Sequence, residues 1–333
     1  MIISRTPFRV SFFGGGTDYP AWFKEHKGAV VATTIDKYCY ISFRYLPPFF
    51  EHKSRIIYSK MEHVKTLEEI DHPAVRETLK FFKIRQGVEI HHDGDLPART
   101  GLGSSSSFTV GLLHCLYALK GIMPTRDRLA REAIYIEQEM CKDNVGCQDQ
   151  TLAAYGGFNY IEFGGINHLR VRTITVPEER MRDLQRHLLL VFTGFSRTAS
   201  QIAAHQIKNI PKKKSELKAM YQMTVEAMNI LNSSKDLTAF GKLLHEGWRL
   251  KRSLSDKIST PHIDEIYKMA RRAGAVGGKL LGAGGGGFIL LFAKPEHQRK
   301  IKSILKKYLM IPFKFEDQGS QIIFYQPNSG VVR

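Results

Sequence analysis

Residues 96–107 read Leu-Pro-Ala-Arg-Thr-Gly-Leu-Gly-Ser-Ser-Ser-Ser, between a strand-like stretch at 88–92 and a helical apolar pattern that stops before Gly121. A strand feeding a helix through such a loop calls for a fold that contains both strands and helices. The glycines let the backbone turn sharply and bring its N–H groups close to a ligand. A helix N-terminus adds unpaired donors and a partial positive charge, so the loop suits a phosphate. Serine here also serves as a helix N-cap on a glycine turn, and that reading alone accounts for part of the pattern. The loop lacks the Gly-Lys-Ser/Thr of a Walker A motif.

Three further segments carry chemistry. Residues 277–288 hold Gly282, Gly284, Gly285, Gly286 and Gly287 ahead of an apolar strand. Such a run costs chain entropy and makes sense where backbones or a ligand approach closely, although a flexible turn is the simpler reading. In residues 7–18 an alternating strand carries Arg9, and the glycine turn Gly14-Gly15-Gly16-Thr17 presents Asp18. A carboxylate placed there can accept hydrogen bonds from sugar hydroxyls, or it can cap its own turn. Residues 137–150 hold Glu137 and Asp149, separated by a helix end and Gly146. Together they could serve one metal ion and one hydroxyl, though helix carboxylates are more often solvated.

The chain has 333 residues, enough for two domains. Strands dominate the first part. Leu217, Met220, Thr224, Ala227 and Leu231, then Leu237, Phe240 and Leu244, follow helical spacing in the second. This gives an α+β fold with domains at 1–183 and 184–333. No apolar run approaches the ~20 residues of a membrane span, and no signal peptide is evident, which points to the cytoplasm and to no membrane partner. The four cysteines form no CxxC pair; Cys39 and Cys115 read as core residues. The net charge of +17 is spread along the chain, with Lys212-Lys213-Lys214 and Lys306-Lys307 as solvated faces, so no nucleic-acid partner is expected.

Together and in this order, the four segments resemble the GHMP kinases, the superfamily of galactokinase, homoserine kinase, mevalonate kinase and phosphomevalonate kinase. The resemblance implies an N-terminal domain like domain 2 of ribosomal protein S5, a ferredoxin-like C-terminal domain and an active site between them. It implies ATP bound by Pro97, Thr100, Gly101, Leu102, Gly103, Ser104, Ser105 and Ser106, with Gly284 and Gly285 closing on it. It further implies Mg²⁺ held by Ser105 and Glu137, Asp149 as the catalytic carboxylate and Arg9 as its basic companion. Gly15 and Gly16 stand where galactokinases carry Glu and His, which argues for a sugar other than galactose, held by Gly15, Gly16, Thr17 and Asp18. The Gly-Gly-Gly-Thr-Asp form, residues 34–38, residues 193–200 and the glycine loop that carries Lys279 look most like the family branch acting on heptose 7-phosphate. That likeness implies transfer to the anomeric hydroxyl, on a route to surface polysaccharide. A substrate phosphate needs a cation, for which Arg197 is the first candidate and Lys251 and Arg252 follow. An L-fucose kinase-like enzyme is the alternative. A nucleic-acid-binding protein on an S5-like fold is disfavoured, because Arg9, Glu137 and Asp149 are all retained. Oligomeric state stays open.

Overall fold

The computed structural model describes residues 1–165, 168–194, 199–234 and 236–327. β1 (Ile2–Phe13) and β2 (Gly28–Tyr45) form a long antiparallel pair, joined across the short helix α1 (Pro20–Phe23). The start of β2 is buried without alternation and its end alternates. One stretch is therefore covered on both faces and the other on one. The hairpin β3 (Ser54–Ile57) and β4 (Met61–Val64) and helix α2 (Pro73–Phe81) lead to β5 (Val88–Gly94), which pairs with β2. Helices α3 (Ser104–Leu119), α4 (Arg126–Tyr135) and α5 (Gln148–Tyr155) come next. Then come β6 (Phe158–Gly164), β7 (His168–Thr173) and α6 (Glu178–Arg186).

The second part contains β8 (Leu188–Phe192), α7 (Ala199–Asn209), α8 (Lys214–Leu231), α9 (Thr238–Ser253) and α10 (Pro261–Arg272). It continues with β9 (Gly277–Leu280), β10 (Phe288–Phe292), α11 (Pro295–Ile304) and β11 (Met310–Ile311). Its sheet runs β11-β8-β10-β9. Both faces of that sheet are covered: Leu188, Leu190, Leu290 and Phe292 join one core cluster and Leu189, Val191, Ile289 and Leu291 another. This explains the unbroken apolar runs in β8 and β10. Helix α10 shows why these segments are helical. Thr260 caps it by accepting from the Ile263 N–H at 3.3 Å, and Ile263, Ile266, Tyr267 and Ala270 bury one stripe.

The architecture is the expected two-part α+β fold. The helical stripe Leu217–Met220–Thr224–Ala227–Leu231 is buried, as are Leu237, Phe240 and Leu244. Lys212, Lys214, Lys306 and Lys307 are exposed. The end of the chain differs from the simple division at 183/184. β12 (Phe315–Glu316) pairs with β2 and β13 (Gln321–Tyr325) with β1, so the last strands return to the first sheet. The cap of α3 also differs: Gly103, left-handed at φ 79°, holds the N-cap position, and Ser104 is already inside the helix. A serine at the N-cap is displaced because the turn needs a positive φ, which favours glycine.

Candidate active site

The phosphate-type loop lies against the second glycine loop. Gly101 (φ 83°) sits so close to Leu281 that a Cβ would come within 2.5 Å of the Leu281 carbonyl oxygen. A Cβ on Gly282 would come within 2.5 Å of Gly101 Cα, and one on Gly287 within 2.1 Å of the Thr100 carbonyl oxygen. Glycine is therefore required on both sides of this seam. Thr193 ties the seam to β8, with its hydroxyl donating to the Gly287 carbonyl at 2.9 Å. Gly285 N–H donates to the Ile258 carbonyl at 2.9 Å. Pro97 is exposed, Thr100 is buried with its hydroxyl on the Pro97 carbonyl at 2.8 Å, and Leu102 is fully buried. Gly103 brings the loop to the Arg9–Asp149 pair: a Cβ there would lie 3.2 Å from Arg9 Cγ and 3.5 Å from Asp149 Oδ2.

Arg9 on β1 is buried and grips Asp149 with two parallel bonds, Nε to Oδ1 at 2.8 Å and a terminal nitrogen to Oδ2 at 2.9 Å. Its other terminal nitrogen donates to the Gly101 carbonyl at 2.6 Å. Asp149 keeps 26% of its side chain exposed against 4% for Arg9, so the carboxylate has an open side while the guanidinium holds it from behind. This fork geometry is specific to arginine.

Asp149 belongs to a row of three on α5. Gln148 Nε2 donates to Asp18 Oδ2 at 3.0 Å, and Gln150 Nε2 donates to Glu137 Oε2 at 2.5 Å. Asp18 is buried, accepts from the Gly16 N–H at 2.9 Å, and its carboxyl is held above the usual carboxylate range by burial and by the nearby Asp149. Gly146 makes room for it, because a Cβ there would fall 2.0 Å from Asp18 Oδ2. Thr17 takes a different part from the expected substrate contact. Its single hydroxyl proton is shared between the Gly14 and Ala29 carbonyls and its oxygen accepts from the Ala29 N–H, so it fastens the turn. Gly15 borders Ser11 Oγ and Gln148, and Gly16 lines a narrow cleft with Tyr19, Gln206, Lys213, Leu217 and Leu254. A larger open hollow of about 370 Å³ lies apart, between β6–β7 and α8, and holds none of these groups.

Glu137 sits on a π-turn, residues 136–140, in which the Cys141 N–H reaches back to the Ile136 carbonyl at 2.8 Å. The extra residue turns Glu137 inward, a feature that helical spacing in the sequence does not reveal. Its carboxyl is buried, and desolvation pushes it up to about 7. Ser106 Oγ donates to its Oε2 at 2.9 Å. The expected partner, Ser105, is exposed, because successive residues in a helix point in different directions. Glu137 Oε1 is buried with no hydrogen-bond partner. An ionisable oxygen left bare beside a serine hydroxyl and a phosphate-type loop fits a hard divalent cation such as Mg²⁺.

Among the candidate cations, Arg197 lies outside the described residues. Arg252 is partly exposed, donates to Asp264 at 2.6 Å and lies over the Trp248 ring. Lys251 is buried, donates to the Gly282 carbonyl, and burial and the nearby Arg9 lower its ammonium to about 8. Lys279, not expected as a site residue, is buried and donates to the Phe12 carbonyl at 3.0 Å. The burial of Lys251 has a visible signal: it extends the spacing of Phe240, Leu244 and Trp248 along the buried face of α9.

Comparison with known proteins places this geometry. The GHMP kinases N terminal domain matches residues 65–157, and the GHMP kinases C terminal domain matches residues 224–309. The chain is 28% identical over 320 residues to D-glycero-alpha-D-manno-heptose 7-phosphate kinase of Campylobacter jejuni, covering 92% of this chain and 93% of that protein. It is 26% identical to the bifunctional fucokinase/GDP-fucose pyrophosphorylase of Arabidopsis thaliana over 88% of this chain and 30% of that protein. Its fold is similar to the crystal structure of a D-glycero-D-manno-heptose 1-phosphate kinase from Bacteroides thetaiotaomicron, with a TM-score of 0.76 at 23% identity, covering 96% of this chain and 98% of that one. With both of the family's domains matched and the two glycine loops closed around an arginine–aspartate pair, this chain belongs to the GHMP kinases.

Proposed function

We propose that the chain transfers the γ-phosphoryl group of ATP to the anomeric hydroxyl of D-glycero-D-manno-heptose 7-phosphate, giving heptose 1,7-bisphosphate for nucleotide-activated heptose and surface polysaccharide. The observation that carries the transfer is the bidentate Arg9–Asp149 pair, with its open carboxylate edge beside Gly103. Phosphoryl transfer asks a protein mainly for positioning and charge neutralisation. Asp149 orients the sugar hydroxyl and accepts its proton. The hydroxyl oxygen bonds to phosphorus as the bond to the β-phosphate oxygen breaks, and ADP leaves with that electron pair. The loop from Pro97 through Ser106 cradles the phosphates, with Gly282 and Gly287 packed against it and Gly284 and Gly285 between them as the proposed facing wall. Mg²⁺ at Glu137 and its neighbouring serine would offset charge on the β- and γ-phosphates.

The sugar reading rests on Gly16 in the cleft, on Gly15 and Asp18 in the same turn, and on likeness to the Campylobacter enzyme along nearly the whole chain. Asp18, held by Gln148 and Gly16, offers a fixed acceptor to sugar hydroxyls. Arg197 remains the proposed anchor for the 7-phosphate. A site built for a phosphate can reject the unphosphorylated analogue by as much as ~10⁴-fold. The test measures kcat/KM for heptose 7-phosphate, free heptose, galactose and L-fucose at one Mg-ATP concentration. Strong preference for the phosphorylated heptose is expected. Equal use of a free sugar would overturn the substrate while leaving the kinase.

A further inference from the structure

The C-terminal half sends two lysines into the seam, and neither has a carboxylate within ion-pair distance among the described residues. Lys279 closes on the Phe12 carbonyl, at the end of β1. Lys251 closes on the Gly282 carbonyl. Gly282 packs directly on Gly101, whose own carbonyl takes the Arg9 guanidinium. An ammonium from α9 and a guanidinium from β1 thus rest on the carbonyls of two glycines in contact. The chain of contacts Lys251–Gly282–Gly101–Arg9 sets Lys251 beside the Arg9–Asp149 pair, and Arg9, Asp18 and Asp149 are its charged neighbours.

An ammonium carries three donors, and the Gly282 carbonyl occupies one. Burying a cation opposite a carbonyl alone is unfavourable unless an anion completes its shell. The anion that passes between the serine loop and Asp149 is the phosphoryl group itself. We propose that Lys251 is a catalytic residue that binds the γ-phosphoryl group of the nucleotide opposite Arg9, rather than an anchor for a remote phosphate on the sugar. Lys279, turned to the Phe12 carbonyl, joins the domains and makes no such contact. This reading rests on the kinase assignment but on no particular sugar.

The experiment uses the full chain without any sugar. Binding of Mg-AMP-PNP and of Mg-ADP is measured by calorimetry for wild type, Lys251→Met and Lys251→Arg, with a thermal melt of each. Loss of a charge-assisted contact to the γ-phosphate should weaken AMP-PNP about ten- to a hundredfold in Lys251→Met, with ADP within about twofold. Lys251→Arg should restore most of the AMP-PNP preference. An unchanged AMP-PNP to ADP ratio in Lys251→Met would overturn the proposal, as a clamp on Gly282 alone predicts. If Lys251→Met does not fold, Lys251→Gln takes its place, and an unchanged AMP-PNP to ADP ratio in that variant has the same consequence. A wrong sugar assignment leaves these measurements untouched, because no acceptor is present.

Discussion

Replacing Glu137 with glutamine should stabilise the metal-free protein at alkaline pH while removing its response to Mg²⁺. The carboxyl is buried, and its value in the folded chain is about 7 against an ordinary 4.5. The folded state therefore holds the proton more tightly than the unfolded chain. Between those values the unfolded state binds fewer protons, so stability falls as pH rises. The loss begins near pH 4.5 and is complete somewhat above pH 7. Each tenfold change in proton affinity is worth ~1.4 kcal/mol, which makes the full penalty about 3 kcal/mol. Glutamine has no charge to bury, and its amide oxygen can still accept from Ser106 and Gln150.

Urea unfolding at pH 5.5 and pH 8, read from the fluorescence of the buried Trp22 and Trp248, measures the effect. The difference between Glu137→Gln and wild type should grow by roughly 2 to 3 kcal/mol between the two pH values, in favour of the variant. Mg-AMP-PNP should then reverse the order, by stabilising wild type far more than the variant. A pH-independent difference would refute the reasoning about burial. Equal stabilisation of both proteins by Mg-AMP-PNP would remove Glu137 from the metal site.

Asp149→Asn should keep the fold and Mg-ATP binding and lower kcat by about 10²–10⁴, the range for a positioned acid–base group, as checked by turnover and calorimetry. Gly146→Ala drives a methyl into Asp18 Oδ2, at 2.0 Å, and should raise KM for the sugar about tenfold or more with Mg-ATP affinity unchanged in a binding titration. Ser106→Ala removes the hydroxyl that touches Glu137 and should raise the Mg²⁺ needed for half-maximal rate by about tenfold. Ser105→Ala, run beside it, should have the smaller effect if the direct contact decides.

The parts of the site that were legible in sequence are those set by backbone geometry. Gly101, Gly103, Gly282 and Gly287 are required by local turns and close contacts, and such needs leave glycine in the sequence. Arg9 and Asp149 were legible only through the family resemblance, since 140 residues separate them and no local pattern links a strand arginine to a helix aspartate. Three things stayed hidden for physical reasons. The π-turn at 136–140 breaks the helical period without any glycine or proline to mark it. Charge and hydroxyl identity do not report direction, so Ser105 and Ser106 were indistinguishable, and Thr17 looked like a ligand although its hydroxyl is spent on the turn. The sequence offers Lys251 as a candidate cation and Lys279 as part of a glycine loop but hides the burial of both, because a lysine is rarely buried. Only the apolar spacing ahead of Lys251 could have betrayed it.

Helix α5 explains why β12 and β13 return to the first sheet. Gln148, Asp149 and Gln150 point about 100° apart, as consecutive helical residues must, and so reach Asp18, Arg9 and Glu137 in three separate parts of the site. A displacement of α5 would disturb the proposed sugar contact, the proposed catalytic carboxylate and the proposed metal ligand together. Its far end is therefore the place to hold it. There the Ser320 N–H donates to the Ala153 carbonyl at 2.8 Å and the Gly157 N–H donates to the Glu316 carbonyl at 3.1 Å. A Cβ on Gly156 would meet the Gln318 carbonyl carbon at 2.0 Å, so the helix end and the returning segment are in direct backbone contact. β12 and β13 flank that segment and are anchored to β2 and β1, and β1 carries Arg9. The returning strands thus tie the helix bearing the carboxylate to the strand bearing its guanidinium, and fix their separation from outside the cleft.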